Sequence, residues 1–250
     1  MMVATLALIT ALASYWVFLR GSLQTRAPVA RWLDGGGRAR WFALWCIKAL
    51  VLFAGTSVLL LALTGWDSAV VAMPAVFYPA RGLVLTYIGD ARTFSLDIIC
   101  LGLVGGGIVG GIVDRVRRGR RPWMLGDISM LVPRHRGELI WGGAMSVVAG
   151  VSEELYFRLL VPLLVTLITG QPLIGFAVGV ALFAGAHRYQ GWIGVAATGV
   201  VGLLMTIVYL ATGQLWIAMV MHMVLDLNGL VLRPLIAGVG SVSPSSASRF

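Results

Sequence analysis

The 250-residue chain is 59% hydrophobic and 12% charged, against roughly a quarter charged in an ordinary soluble domain. That balance excludes a water-soluble globular enzyme, a disordered chain and a coiled coil. It leaves an all-α, polytopic transmembrane helix bundle, whose backbone groups are paired inside each span. The 19 Lys and Arg against 10 Asp and Glu give a formal +9, but the charges cluster in loops, which marks topology beside anionic lipid and not nucleic-acid binding.

In chain order, apolar runs predict about seven spans (six to eight): roughly 2–19, 42–64, 95–113, 138–168, 171–187, 192–210 and 214–232. The first lacks a basic leader and is followed by arginines, so it reads as a retained anchor. Five arginines (Arg20, Arg26, Arg31, Arg38, Arg40) occupy the first long loop. Residues 66–92 hold Pro74, Pro79 and Arg81 and read as an interfacial or re-entrant segment. Seven more arginines (Arg115, Arg117, Arg118, Arg120, Arg121, Arg134, Arg136) lie in residues 114–137. With both basic loops in the cytosol, the N-terminus is outside and the C-terminus cytosolic, and the bacterial inner membrane is the expected location. As one helix, span four would be about 46 Å long, more than a ~30 Å hydrocarbon core, with Pro162 as the expected kink or break. Cys46 and Cys100 read as packing residues. The Ser-rich end after residue 240 reads as a flexible tail. Three regions result: N-terminal helices and basic loops over 1–137, a core of the four C-terminal helices over 138–232, and a tail over 233–250.

Polar residues inside apolar spans carry the functional signal, because each costs about 2.5–3.5 kcal/mol at the bilayer centre. Seven acids, Asp34, Asp67, Asp90, Asp97, Asp114, Asp127 and Glu138, sit in loops or near span ends. His135, in a basic loop, is expected to be exposed. The embedded ionisable set is Glu153, Glu154, Arg158, His187, His222 and Asp226. Glu154 and Arg158 are four apart with the acid first, the favourable order for a helical ion pair. Glu153 lies about 100° away around the same helix, so it is available as a general base while its neighbour holds the cation. His222 and Asp226 share a helical face near the middle of span seven, and Asn228 points elsewhere, to a neighbouring helix. Taken singly, Phe183 reads as packing, His187 as an interfacial histidine, and the His222–Asp226 pair as an internal hydrogen bond.

Together, Glu-Glu-x-x-x-Arg (Glu153, Glu154, Arg158), Phe-x-x-x-His (Phe183, His187) and His-x-x-x-Asp (His222, Asp226) follow one another on successive apolar helices. This order resembles the CAAX prenyl protease and bacteriocin-processing (Abi, CPBP) family of glutamic intramembrane proteases, over about residues 138–232. The resemblance implies a helical core around a polar cavity open to the cytosol, no cofactor, and a peptide or membrane-protein substrate. It implies that Glu153 activates water with help from His187. It also implies that His222 and Asp226 stabilise the oxyanion, and that Glu154, Arg158 and Phe183 support the site. Prenyl proteases carry Asn where this chain has Asp226. An ionised Asp has no proton to donate, so Asp226 is either held protonated or only orients His222. Two other readings stay open: a non-catalytic membrane protein for bacteriocin immunity or scaffolding, and a metal-dependent hydrolase ligated by Glu153, His187, His222 and Asp226. A partner protein could sit at the N-terminal helices.

Overall fold

A computed structural model describes residues 1–23, 37–89, 96–117, 126–128 and 130–239, with the side chains of 21–23, 96–100 and 103 left out. Arg26, Arg31, Asp34, Asp90, Arg118, Arg120, Arg121 and the Ser-rich end from 240 lie outside the described residues, as do the side chains of Asp97 and Cys100.

The fold is all-helical among the described residues. The helices are α1 (Met2–Leu23), α2 (Gly37–Leu63), α3 (Tyr78–Ile88), α4 (Leu96–Val116), α5 (residues 136–169), α6 (Pro172–Ala186), α7 (Gly191–Thr212) and α8 (Leu215–Ala237). Among the described residues, four stretches are long and apolar enough to cross a membrane: Met2–Arg20, Gly37–Leu63, Arg188–Thr212 and Leu215–Ala237. The outward faces of these helices are apolar, with Leu6, Ile9, Ile47, Val51, Leu59, Leu203 and Trp216 exposed. A surface of that kind is stable against lipid tails, which makes this an integral membrane protein. The other predicted spans also fold as helices. Pro172–Ala186 is short, about 22 Å long at 1.5 Å per residue.

The described part of this segment, residues 66–89, forms two 3-10 turns and α3, an 11-residue helix too short for an eighth crossing. They fold back onto the core: Phe77 is fully buried, 4.8 Å from the Phe176 ring.

Two boundaries differ from the sequence reading. The last helix does not stop at 232 but continues through a π segment, Asn228–Leu232, to Ala237. Arg233 holds that extension to α4, donating from Nε to Asp114 Oδ2 at 2.7 Å. Span four is not broken at Pro162. Its α-helical part ends at Glu154, a π turn covers Leu155–Leu160, and α-helix resumes at Val161 with Pro162 in the first turn. Proline supplies no N–H to the carbonyls one turn back and its ring crowds them. The π turn relieves that crowding without ending the helix.

Glycines set the close crossings. A Cβ on Gly150 of α5 would stand 2.9 Å from the Met219 carbonyl of α8, and one on Gly142 would stand 2.8 Å from the Leu230 carbonyl. On α6, Gly175 and Gly179 lie in the same way against the Pro162 and Phe157 carbonyls. Without a hydrophobic drive between helices in lipid, this backbone approach supplies the packing energy. Gly150→Ala is therefore expected to force α5 and α8 apart and to cost about 1–3 kcal/mol, as overpacking does. The check is a lower thermal unfolding midpoint in detergent. An unchanged midpoint would show that the two helices have slack.

One hydrophobic core joins the N-terminal helices to the C-terminal ones. Phe53, in the π segment Leu50–Gly55 of α2, stacks 4.8 Å from Tyr156 and 5.2 Å from Phe157. Tyr156 donates its hydroxyl to the Ala11 carbonyl of α1, and Tyr15 donates to Leu182 of α6 at 2.8 Å. Arg38, counted above among the loop charges, is buried. It donates to Glu138 Oε1 at 2.7 Å and to the Met130 and Val132 carbonyls. Glu138 is likewise buried and not merely a charge at a span end. His135, by contrast, stands at the N-cap of α5 with its side chain 66% exposed. Cys46 is a free, buried thiol.

Candidate active site

Four helices deliver the embedded polar residues to one place. Glu153 and Glu154 end the α-helical part of α5, and Arg158 follows in the π turn. Phe183 lies in the last turn of α6, with His187 as its C-cap. His222 and Asp226 lie on α8, and Gly202 comes from α7. The Gly150 and Gly142 crossings hold α5 against α8 so closely that the acids reach His222.

Glu154 is the hub. Its Oε1 accepts from His222 Nδ1 at 2.7 Å, and its Oε2 lies 3.2 Å from Arg158 Nε. Both Glu154 and Arg158 are fully buried. The guanidinium lies over the Phe183 ring, its Cζ 4.1 Å from the centroid, and Nη2 reaches the Gly202 carbonyl at 3.4 Å. A Cβ on Gly202 would meet Phe183 at 2.9 Å, so this glycine makes the room in which ring and cation stack. A buried cation over an aromatic face is stabilised by the ring quadrupole, which helps offset its desolvation.

Phe183 does more than pack. It stands edge-on to His222 at 5.8 Å between centroids and 4.8 Å from the His187 ring. Its carbonyl accepts from His187 Nδ1 at 2.8 Å. A carbonyl only accepts, so in the neutral imidazole Nδ1 carries the hydrogen and Nε2 keeps its lone pair. Phe183 thus fixes both the position and the tautomer of His187.

Glu153 has the opposite character to its neighbour. It is buried, at 5% exposure, and its Oε2 makes no hydrogen bond among the described residues. Its electrostatic neighbours are His222, Asp226, Arg158 and Glu154. Two of these neighbours, His222 and Asp226, come from α8, while the cation is paired with Glu154. A buried carboxyl with one oxygen unspoken for is suited to accept a proton from water.

His222 and Asp226 are not the internal hydrogen-bonded pair that their spacing allows. Nε2 to Oδ2 is 3.6 Å, too long for a hydrogen bond, and the histidine bonds to Glu154 instead. This leaves Nε2 directed into the site, beside an Asp226 side chain that is 30% exposed. Because Asp226 does not anchor the ring, Asp226→Asn is expected to keep at least about a tenth of the wild-type rate. Rate measurement on the purified variant checks this, and a dead variant would make the charge itself essential. Asn228 lies on another face, its amide against Gly107 of α4.

Among the described residues no three His, Cys, Asp or Glu side chains are grouped as ligands for a metal ion. Two residues near the site were not singled out by the sequence reading. Gly202 carries no chemistry that could flag it. Tyr189 lies two positions after His187, its ring 6.0 Å from that imidazole, where an aromatic beside a basic residue reads as an interfacial anchor.

A family model described as type II CAAX prenyl endopeptidase, Rce1-like, matches residues 135–228. The stretch contains Glu153, Glu154, Arg158, Phe183, His187, His222 and Asp226, and the family is the one that the three motifs resemble. Comparison with curated proteins and with solved structures returns no match.

Proposed function

We propose that this protein is an intramembrane endopeptidase of the CAAX-protease type, hydrolysing a peptide bond with water activated by Glu153. The observation that carries the proposal is the division of labour between adjacent carboxylates: Glu154 accepts from His222 and has its Oε2 in an ion pair with Arg158, whereas Glu153 Oε2 has neither a hydrogen bond nor an ion pair among the described residues.

The chemistry follows from that division. Glu153, as carboxylate, takes a proton from water while the oxygen adds to the scissile carbonyl carbon. The carbonyl π pair moves onto oxygen and forms the oxyanion of a tetrahedral intermediate. The lone pair on His187 Nε2 orients the attacking water through a hydrogen bond. His222 Nε2–H faces the oxyanion, and Glu154 holds the ring and balances the charge that it carries. Collapse breaks the C–N bond, and the leaving amine takes the proton from Glu153. Arg158 and Phe183 touch no reacting atom and act as positioning residues. The same reading places the C-terminus in the cytosol of a bacterial cell, with the basic loops facing anionic lipid.

The test uses the full-length protein in nanodiscs with a panel of quenched fluorescent peptides, farnesylated and not. Wild type is expected to cleave at least one of them with or without EDTA, and Glu153→Gln to cleave none while unfolding at the wild-type temperature. Equal cleavage by Glu153→Gln would overturn the glutamate mechanism. Chelator-sensitive cleavage would favour the metal reading. No cleavage of any peptide by wild type would favour the non-catalytic one.

A further inference from the structure

We propose that the segment before α5, residues 126–128 and 130–135, is a strap that positions His187, and that Arg38 is the positioning residue that anchors it. This role rests on the hydrolase reading, in which His187 orients the attacking water.

Arg38 is a buried cation outside the three motifs, at the start of α2. A buried guanidinium is stable only where its N–H groups find acceptors. Arg38 spends one fork in three directions. Nε donates to Glu138 Oε1 at 2.7 Å, Nη1 to the Met130 carbonyl at 3.2 Å and Nη2 to the Val132 carbonyl at 3.1 Å. The second Glu138 oxygen accepts from the Arg134 N–H at 2.8 Å. An ion pair joining α2 to α5 needs only the first of these bonds. The other three hold the strap. Leu131 adds an apolar anchor, packing against the cluster of Phe42, Cys46, Met145 and Leu230.

The far end of the strap is fixed to the turn that follows His187. Gly126 lies against the first turn of α7 with φ of +85°. A Cβ there would stand 2.8 Å from Gly194 Cα and 3.1 Å from the Gln190 carbonyl oxygen, so both backbone angle and space require glycine. The next residue, Asp127, donates its N–H to the Gln190 carbonyl at 2.9 Å. Gln190 in turn donates its N–H to the His187 carbonyl, also at 2.9 Å. Between the two ends, the Leu131 N–H bonds to the Ile128 carbonyl at 2.8 Å. Bonds therefore run from Arg38 along the strap to the His187 backbone.

His187 needs such support. It is the C-cap of α6, at φ −92° and ψ 13°, where the chain leaves the helix. Its ring is held by Nδ1 on the Phe183 carbonyl, so the aim of Nε2 depends on the backbone that follows. A misplacement of about 1 Å in an orienting group can cost about 10²-fold in rate.

The experiment enters the strap from each end in the full-length protein in nanodiscs. Arg38→Lys keeps a charge opposite Glu138, so the chain is expected to fold, but a single ammonium replaces the three-way fork. Gly126→Ala pushes the far end off α7. For each variant, kcat and KM are measured on a peptide cleaved by wild type, and amide hydrogen exchange is followed by mass spectrometry. Both variants are expected to lower kcat at least about tenfold with KM within about threefold. Both should also speed exchange at residues 187–191 and leave the α5 peptide containing Glu153 unchanged. A merely structural strap would alter the unfolding midpoint without this split. Unchanged kcat with faster exchange at 187–191 overturns the proposal, as does lost kcat with unchanged exchange there. An effect from one end alone also overturns it, and if Gly126→Ala does not fold, Arg38→Lys decides. Glu153→Gln, assayed alongside, separates the two readings. If it is dead while the strap variants keep full kcat, only the strap's role fails. If it is active, or if wild type cleaves nothing, the hydrolase reading fails and the strap's role with it.

Discussion

Glu153→Gln is expected to lower kcat by about 10³-fold or more, near the upper part of what a positioned general base contributes. The substitution keeps the volume and one carbonyl oxygen of the side chain, and removes only its ability to take a proton. No hydrogen bond or ion pair of the network is made by that carboxylate. Arg158 is paired with Glu154, and His222 hydrogen-bonds to Glu154, so the cation and the ring keep their places when Glu153 becomes an amide. The unfolding midpoint should therefore stay within about 2 °C of wild type, as expected for a change well under 1 kcal/mol. Loss of rate together with loss of stability would place Glu153 in the scaffold and not in the chemistry.

Glu154→Leu is expected to do the reverse and cost stability first. It leaves the Arg158 guanidinium fully buried without its anion and the His222 Nδ1–H without its acceptor. Breaking a buried pair by removing one partner costs about 3–5 kcal/mol, because an uncompensated charge remains in a medium that solvates it poorly. Thermal unfolding in detergent should show a large drop, with activity lost as His222 turns. The double variant Glu154→Leu with Arg158→Leu then discriminates. Replacing a whole buried pair by apolar residues is often neutral for stability, so the midpoint should recover much of its loss. Activity should not recover, since His222 still lacks its anchor. Recovery of both would mean that Glu154 serves Arg158 alone.

These two acids show how far the sequence could be read. Their order and spacing placed an ion pair between Glu154 and Arg158 and turned Glu153 away, because a helix advances about 100° per residue and brings positions four apart together. Periodicity does not extend across helices. It could not show that Glu154 is also the hydrogen-bond partner of His222, 68 positions along the chain. The local spacing favoured Asp226 as that partner, four residues away on the same helix, yet those atoms stand 3.6 Å apart. Tyr189 was hidden for a related reason. Beside Arg188 it has the signature of an interfacial aromatic, and only the fold shows its ring 6.0 Å from the His187 imidazole. Phe183 read as packing by itself, and its carbonyl bond to His187 belongs to the backbone, on which no side-chain pattern reports.

The sequence by itself determined that the chain is helical and embedded in a membrane. It determined which few ionisable residues lie where lipid would penalise them, and which family their order resembles. Those properties follow from composition and from local periodicity, which each segment carries alone. The tertiary structure decided the rest. Gly150 and Gly142 let α5 and α8 approach, Gly202 opens room for Arg158 over Phe183, and the π turn before Pro162 carries the span past the proline unbroken. In a bilayer, helices are held by close shape and by shared hydrogen bonds instead of by apolar attraction. The identity of each polar partner therefore depends on which backbones can touch, and that is a property of the assembled bundle.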